Sequence, residues 1–317
     1  MKPMNHLKSI FLASALILGI SITAHAEINV VSSVKPLHSL VSGVMEGVAR
    51  PDLIVKGSAS PHTYSLRPSQ ARQLEDADLV FWMGHELESF LEQPLEAIAT
   101  KGHIVELIDS SKLKKIKMRE GGMFDAHAHD DHDEHEGHDD HEHGEFDVHV
   151  WLDPENAKVL VDEIKLALIE LDPVNSSKYE SNSNKMNMKL DQLIDEVSKK
   201  LESEQGKGYV VFHDAYQYFE QRFGMSAVGS ITVSPEVVPG ANRIRELKNK
   251  INELNAHCVF SEPQFEPKLV STVIEGTQAN TGVLDPLGAS IKDGPELYFT
   301  LIRNMADSLH ECLSKKD

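Results

Sequence analysis

The chain has 317 residues, 40% hydrophobic and 26% charged, with 14 Pro and 19 Gly, a composition that excludes collagen-like, low-complexity and disordered classes. Its 31 Lys and Arg against 50 Asp and Glu leave a formal charge of -19, which repels a phosphate backbone and excludes nucleic acid as a partner. The length accommodates two domains, each with its own interior.

At the N-terminus, Lys2 and Lys8, the apolar run Ile10 to Ile20 and Ala24-His25-Ala26 before Glu27 form the three regions of a secretory signal peptide over residues 1–26. The run is shorter than the roughly 20 residues of a bilayer span, and no Cys stands at the cleavage point as a lipoprotein requires. The expectation is an exported, freely soluble protein. In an oxidising compartment Cys258 and Cys312 are expected to pair; two free thiols acting as metal ligands are the alternative, disfavoured by the lack of C-x-x-C spacing.

Ile28 to Val34 predicts a strand, followed from Pro36 by a helical pattern carrying Leu37, Leu40, Val41, Val44 and Val48. Leu53 to Val55 is a second short strand, a helix starts around Ser65 to Pro68, Leu79 to Met83 is a third strand, and a helix runs from about Glu86 to Ala99. Alternating strands and amphipathic stretches predict an α/β class with parallel strands and crossover helices. Gly121-Gly122 then opens an insertion over about 120–147. Residues 125–147 hold 11 Asp and Glu, no Lys or Arg, and seven of the 17 His, so a disordered, solvent-exposed segment is expected.

Val148 to Leu152 predicts the next strand, and Asp153 with Pro154 the N-cap and first residue of a helix carrying Ala157, Leu160, Val161, Ile164 and Leu168. From Pro173 to about Glu204 there is no internal Gly or Pro, and Met186, Leu190, Leu193, Ile194, Val197 and Leu201 recur at helical spacing. Such a helix spans on the order of 45 Å and reads as a connector between two lobes. The grammar then resumes with strand Tyr209 to Phe212, a helix to Gly224, a strand near Val228, a helix with Ile244, Leu247, Ile251 and Leu254, strand Cys258 to Phe260, a helix over Lys268 to Gly276, strand Gly282 to Leu284 and a helix from Glu296 to Leu313. The expected organisation is an N-terminal α/β lobe over 27–172, a connecting helix over 173–205 and a C-terminal α/β lobe over 206–317.

Ligands of open parallel sheets bind beyond the carboxyl ends of the strands. Four residues fall there: His62 after the second strand, His149 beside Trp151, His213 after Phe212 and Asp285 after Leu284. Three imidazoles with a carboxylate or water form a tetrahedral set suited to Zn²⁺. Taken singly, each also fits a capped or solvated residue, and Asp285 before Pro286 fits the start of a turn.

The blocks Gly57-Ser58-Ala59-Ser60-Pro61-His62-Thr63-Tyr64-Ser65-Leu66-Arg67-Pro68-Ser69, His149-Val150-Trp151-Leu152-Asp153-Pro154, Phe212-His213-Asp214-Ala215-Tyr216 and Leu284-Asp285-Pro286-Leu287-Gly288 resemble the periplasmic metal-binding proteins that feed zinc or manganese ABC importers. The resemblance runs over essentially the whole mature chain, including the His-rich insertion and the cysteine spacing. It implies a monomeric periplasmic solute-binding protein, not an enzyme, that captures zinc between two lobes and delivers it to an inner-membrane ABC permease. It also implies His62, His149 and His213 as ligands. Manganese-type relatives place a carboxylate where this chain has His213, and a third imidazole favours zinc. Asp285 matches their second-lobe carboxylate and in zinc-type sites is either a ligand or a neighbour. Some zinc-type relatives carry Glu immediately before the first ligand His; here that residue is Pro61, so the fourth ligand is Asp285 or water.

His127, His129, His132, His135, His138, His141 and His143 alternate with carboxylates, in spacings that permit many pairings. That pattern predicts an auxiliary, weaker multi-ion reservoir that releases metal as pH falls through ~6.5. His38, His85, His103, His257 and His310 are expected to be structural or solvated, and Glu262 has no assigned role. A manganese-type protein of the same fold is the alternative. A zinc hydrolase is disfavoured because H-E-x-x-H, G-x-S-x-G and Gly-rich phosphate loops are all missing, and a surface adhesin because no lipid-anchoring Cys is present.

Overall fold

The computed structural model describes residues 28–99, 101–119, 146–232, 240–253, 256–266 and 268–315. The signal-peptide segment, the seven insertion histidines and Leu254 lie outside these residues.

Four short parallel strands form the first sheet: β1 (Val30–Ser32), β2 (Asp52–Leu53), β3 (Leu79–Trp82) and β4 (His103–Glu106), in the order β2-β1-β3-β4. Between them run α1 (Lys35–Val44), α2 (Pro68–Asp76) and α3 (Ser89–Ile98). A second parallel sheet, ordered β6-β5-β7-β8, is built from β5 (Tyr209–His213), β6 (Ala227–Thr232), β7 (Cys258–Ser261) and β8 (Asn280–Val283). It carries α6 (Gln217–Phe223), α7 (Ala241–Glu253) and α8 (Lys268–Ile274). The expected two-lobed α/β architecture is what forms. In each sheet the strand order reverses beside the first strand, between β1 and β3 and between β5 and β7, and such reversals open a crevice at the carboxyl ends.

Two details differ from the sequence expectation. Val150–Leu152 is a turn of 3₁₀ helix rather than a strand, because Leu152 and Asp153 close hydrogen bonds back to His149 and Val150 and Asp147 caps the N–H of His149. A short, wholly buried apolar run has no periodicity to separate the two states. Conversely β4 is absent from the sequence expectation: its apolar pair Ile104-Val105 is only half-buried at a sheet edge, and two residues carry little pattern.

The remaining helices join the lobes. Between them, α4 (Pro154–Leu171) and α5 (Ser176–Leu201) precede the second sheet, and α9 (Leu297–Leu313) ends the fold. As expected, Asp153 caps α4 by accepting the N–H of Glu155, with Pro154 in the first turn. The 26 residues of α5 give a rod of roughly 39 Å. It is packed along its length, burying Tyr179, Met186, Leu190, Leu193, Val197 and Leu201 against α1, α4 and α9. Asn182 of α5 donates to the carbonyls of Val44 and Glu46 at the end of α1.

Alternation along β5 divides the core. Tyr209 and Val211 join one apolar cluster that runs from the first sheet through α1, α4, α5 and α9. Val210 and Phe212, on the other face, join a smaller cluster under α7 and α8. The lobes therefore share one continuous interior. Cys258 of β7 and Cys312 of α9 form a disulfide, the pairing expected for an exported chain.

Candidate metal centre

His62 is presented by a 3₁₀ turn, Pro61–Thr63, beyond β2. His149 immediately precedes the Val150–Leu152 turn, and His213 is the last residue of β5. The three come from separate segments of both lobes and converge. One ring nitrogen from each lies within 4.8 Å of the other two, and no other group of three or more potential metal-holding side chains occurs among the described residues.

Two of the imidazoles are fixed by carboxylates. His149 Nδ1 donates to Asp147 Oδ1 at 2.7 Å, and His213 Nδ1 donates to Glu262 Oε1 at 2.7 Å. A carboxylate accepts only, so the proton sits on Nδ1 and the Nε2 lone pair of each ring points into the cluster. The two Nε2 atoms stand 3.4 Å apart. With Zn–N bonds of about 2.0–2.1 Å, tetrahedral ligation requires nitrogens about 3.3 Å apart, so this pair is already at ligating separation. Two facing lone pairs repel unless a cation or proton sits between them.

His149 and His213 are 6% and 4% exposed, while His62 is half-buried. Burial, together with the positive charge the other two rings can carry, lowers the His62 pKa to about 2. His213 behaves oppositely. Burial works against its charged form, but the charge and hydrogen bond of Glu262, aided by Asp147 and Asp214, outweigh it and raise the pKa above the ordinary imidazole value. Around the three rings the walls are mostly apolar, Pro61, Leu87, Trp151, Phe265, Pro286 and Leu287, with Ser60, Glu262 and Gln264 as polar members, and the free space among them is about 10 Å³.

Asp285 stands apart from this group. Its Oδ1 accepts from Gln264 Nε2 and from the N–H groups of Leu287 and Gly288, and its Oδ2 accepts the N–H of Ala289 at 2.6 Å. The insertion is rooted beside the centre. Lys117 bridges to Phe146 across its base, and Arg119 pairs with Asp214, next to His213, and with Glu220. Burial pushes the Asp214 carboxyl up to about 7 despite Arg119.

The sequence reading missed Asp147, Glu262 and Gln264. By composition Asp147 belongs with the acidic insertion, although its position two residues before His149 is a usable signal. Glu262 becomes visible through the sheet register: Tyr209 pairs with Cys258, and counting four residues along both strands sets His213 beside Glu262. Of the histidines set aside, His38 bonds the carbonyl of Pro51 and His310 pairs with Glu204.

The fold and site define a class, two-lobed α/β proteins with a cluster of three histidines that could hold a metal ion. A family model described as "ZnuA: Zinc-uptake complex component A periplasmic" matches residues 30–312. The chain is 52% identical over 334 residues to the high-affinity zinc uptake system protein ZnuA of Brucella suis biovar 1 (strain 1330), covering 98% of this chain and 100% of the relative. To its namesake in Yersinia pestis it is 37% identical over 311 residues, covering 97% and 98%. Among solved structures, "Crystal structure of ZnuA" superposes with a TM-score of 0.75 at 22% identity over 91% of this chain and 100% of that one. The periplasmic zinc binding protein TroA of Treponema pallidum gives 0.75 at 19% identity, over 92% and 100%. The chain belongs to the ZnuA family, whose members are periplasmic solute-binding components of zinc uptake and not enzymes.

Proposed function

We propose that His62, His149 and His213 capture a zinc ion between the lobes and that the loaded protein delivers it to the inner-membrane permease of an ABC importer, acting in the periplasm as a monomer after loss of residues 1–26. The observation that carries this reading is the pair of Nε2 lone pairs 3.4 Å apart, each aimed by a carboxylate on the opposite ring nitrogen. A set of neutral nitrogens suits zinc over manganese, which prefers carboxylate oxygens. Shared apolar packing through α1, α4, α5 and α9 supports a small change of lobe angle on loading. The seven insertion histidines serve as the auxiliary reservoir, concentrating ions near the cleft. A chelator-competition titration of the mature chain against its His213→Ala variant tests the assignment: one tight site lost on substitution supports it, and equal affinity in both proteins overturns it.

A further inference from the structure

Gln264 lines the same small pocket as the three imidazoles. Its amide nitrogen donates to Asp285 Oδ1 at 2.9 Å. Because a carboxylate oxygen accepts only, the orientation of the amide is settled and the carbonyl oxygen is the end left over. That oxygen, Gln264 Oε1, is buried and has no hydrogen-bond partner. A buried acceptor without a donor keeps its desolvation penalty uncompensated.

Asp285 is engaged at both oxygens by its own turn and by Gln264. Its Oδ1 accepts one amide and two backbone N–H groups and its Oδ2 one further backbone N–H, so both oxygens are tied into the turn and one Oδ2 lone pair is uncommitted. Gly288, at φ 71°, turns the chain so that successive N–H groups converge on one side chain, a conformation other residues adopt at a penalty.

Three imidazoles leave one tetrahedral position on a zinc ion. We propose that Gln264 Oε1 accepts a hydrogen from the solvent molecule that completes the zinc coordination, and that Asp285 is a positioning residue which orients Gln264 rather than a ligand. The inference rests on the three-histidine reading above. Water bound to a dication is a stronger donor than bulk water, so the orphaned acceptor gains its partner when the ion arrives. A neutral amide in that place holds the water without drawing off its proton. A carboxylate there would act as a base and generate hydroxide, the nucleophile a carrier has no use for.

The test uses the full mature chain. Zinc affinity is measured by chelator competition, and the visible d–d bands are recorded with less than one equivalent of Co²⁺, for wild type, Gln264→Leu, Asp285→Ala, the double variant and His213→Ala. Gln264→Leu leaves the Asp285 turn intact and guards against a folding defect in Asp285→Ala. Both single variants are expected to weaken zinc binding about tenfold and to shift the Co²⁺ bands alike, with the double variant no weaker than the weaker single, because the two residues act in series. Wild-type affinity and bands in Gln264→Leu beside altered bands in Asp285→Ala would make Asp285 a ligand and overturn the proposal. If His213→Ala kept the tight site, the three-histidine reading itself would fall, and the proposal with it.

Discussion

His213 closes β5 with its Nδ1 held by Glu262 at 2.7 Å, whereas His62 sits in a turn past β2 and its ring contacts are with the other two imidazoles. Both stand past the carboxyl end of a parallel sheet, yet one is anchored, buried and made more basic, and the other is half-buried and made less basic. In the first lobe a buried carboxylate beyond β3, Glu88, accepts the N–H groups of Met83 and Gly84 on its Oε2. The contrast teaches a division of labour. On the three-histidine reading proposed above, the second sheet with Asp147 and His149 would supply a two-nitrogen seat with both rings held by carboxylates, and the first a third nitrogen whose basicity burial lowers.

Breaking the seat has the largest expected effect. His213→Ala should abolish tight zinc binding, and His62→Ala should leave weaker but measurable binding on the two anchored rings. Chelator competition on both variants checks the ranking, and a greater loss in His62→Ala would reverse the division.

Removing an anchor while keeping the ligand comes next. Glu262→Gln and Asp147→Asn should each lower zinc affinity about 10- to 100-fold, the usual range for partners of metal-bound histidines. Isothermal titration with a competing chelator reads the change, and wild-type affinity in both would reduce the carboxylates to a structural role.

Glu262→Gln also sharpens the comparison through pH. Zinc needs His213 neutral, and the Glu262 charge raises the pKa of that ring. Affinity must therefore fall as pH drops through the raised value. With the charge gone the fall should begin at lower pH, so the two affinity curves approach one another in acid. His62, with a pKa of about 2, contributes no such fall in the working range.

The smallest effect concerns stability alone. Burial raises the Glu88 pKa to about 7, so between the ordinary glutamate value and pH 7 the folded state holds a proton that the unfolded state has lost. Stability then declines as pH rises through that window. Glu88→Gln should flatten the decline, a difference on the order of 1 kcal/mol at neutral pH after allowance for the two backbone donors. Urea unfolding of the metal-free protein at pH 5 and pH 7 measures it.

By itself the sequence determined the α/β class and the start of the helix at Pro154, and it nominated His62, His149, His213 and Asp285 as candidates. Those follow from local periodicity, from Asp153-Pro154 as a cap and from ligand-type residues at the ends of apolar runs, all properties of contiguous stretches. It placed a strand at Val148 to Leu152, where the chain forms a 3₁₀ turn, because a buried run of that length reads the same in either state. It left Asp285 open between ligand, neighbour and turn. Only the tertiary structure decided which carboxylates face which rings, since Glu262 reaches His213 through the register of β5 and β7 and Gln264 reaches Asp285 across 21 residues. Hydrogen bonds of that kind are made by pairing distant segments, and a linear pattern carries no record of the pairing until the sheet has formed.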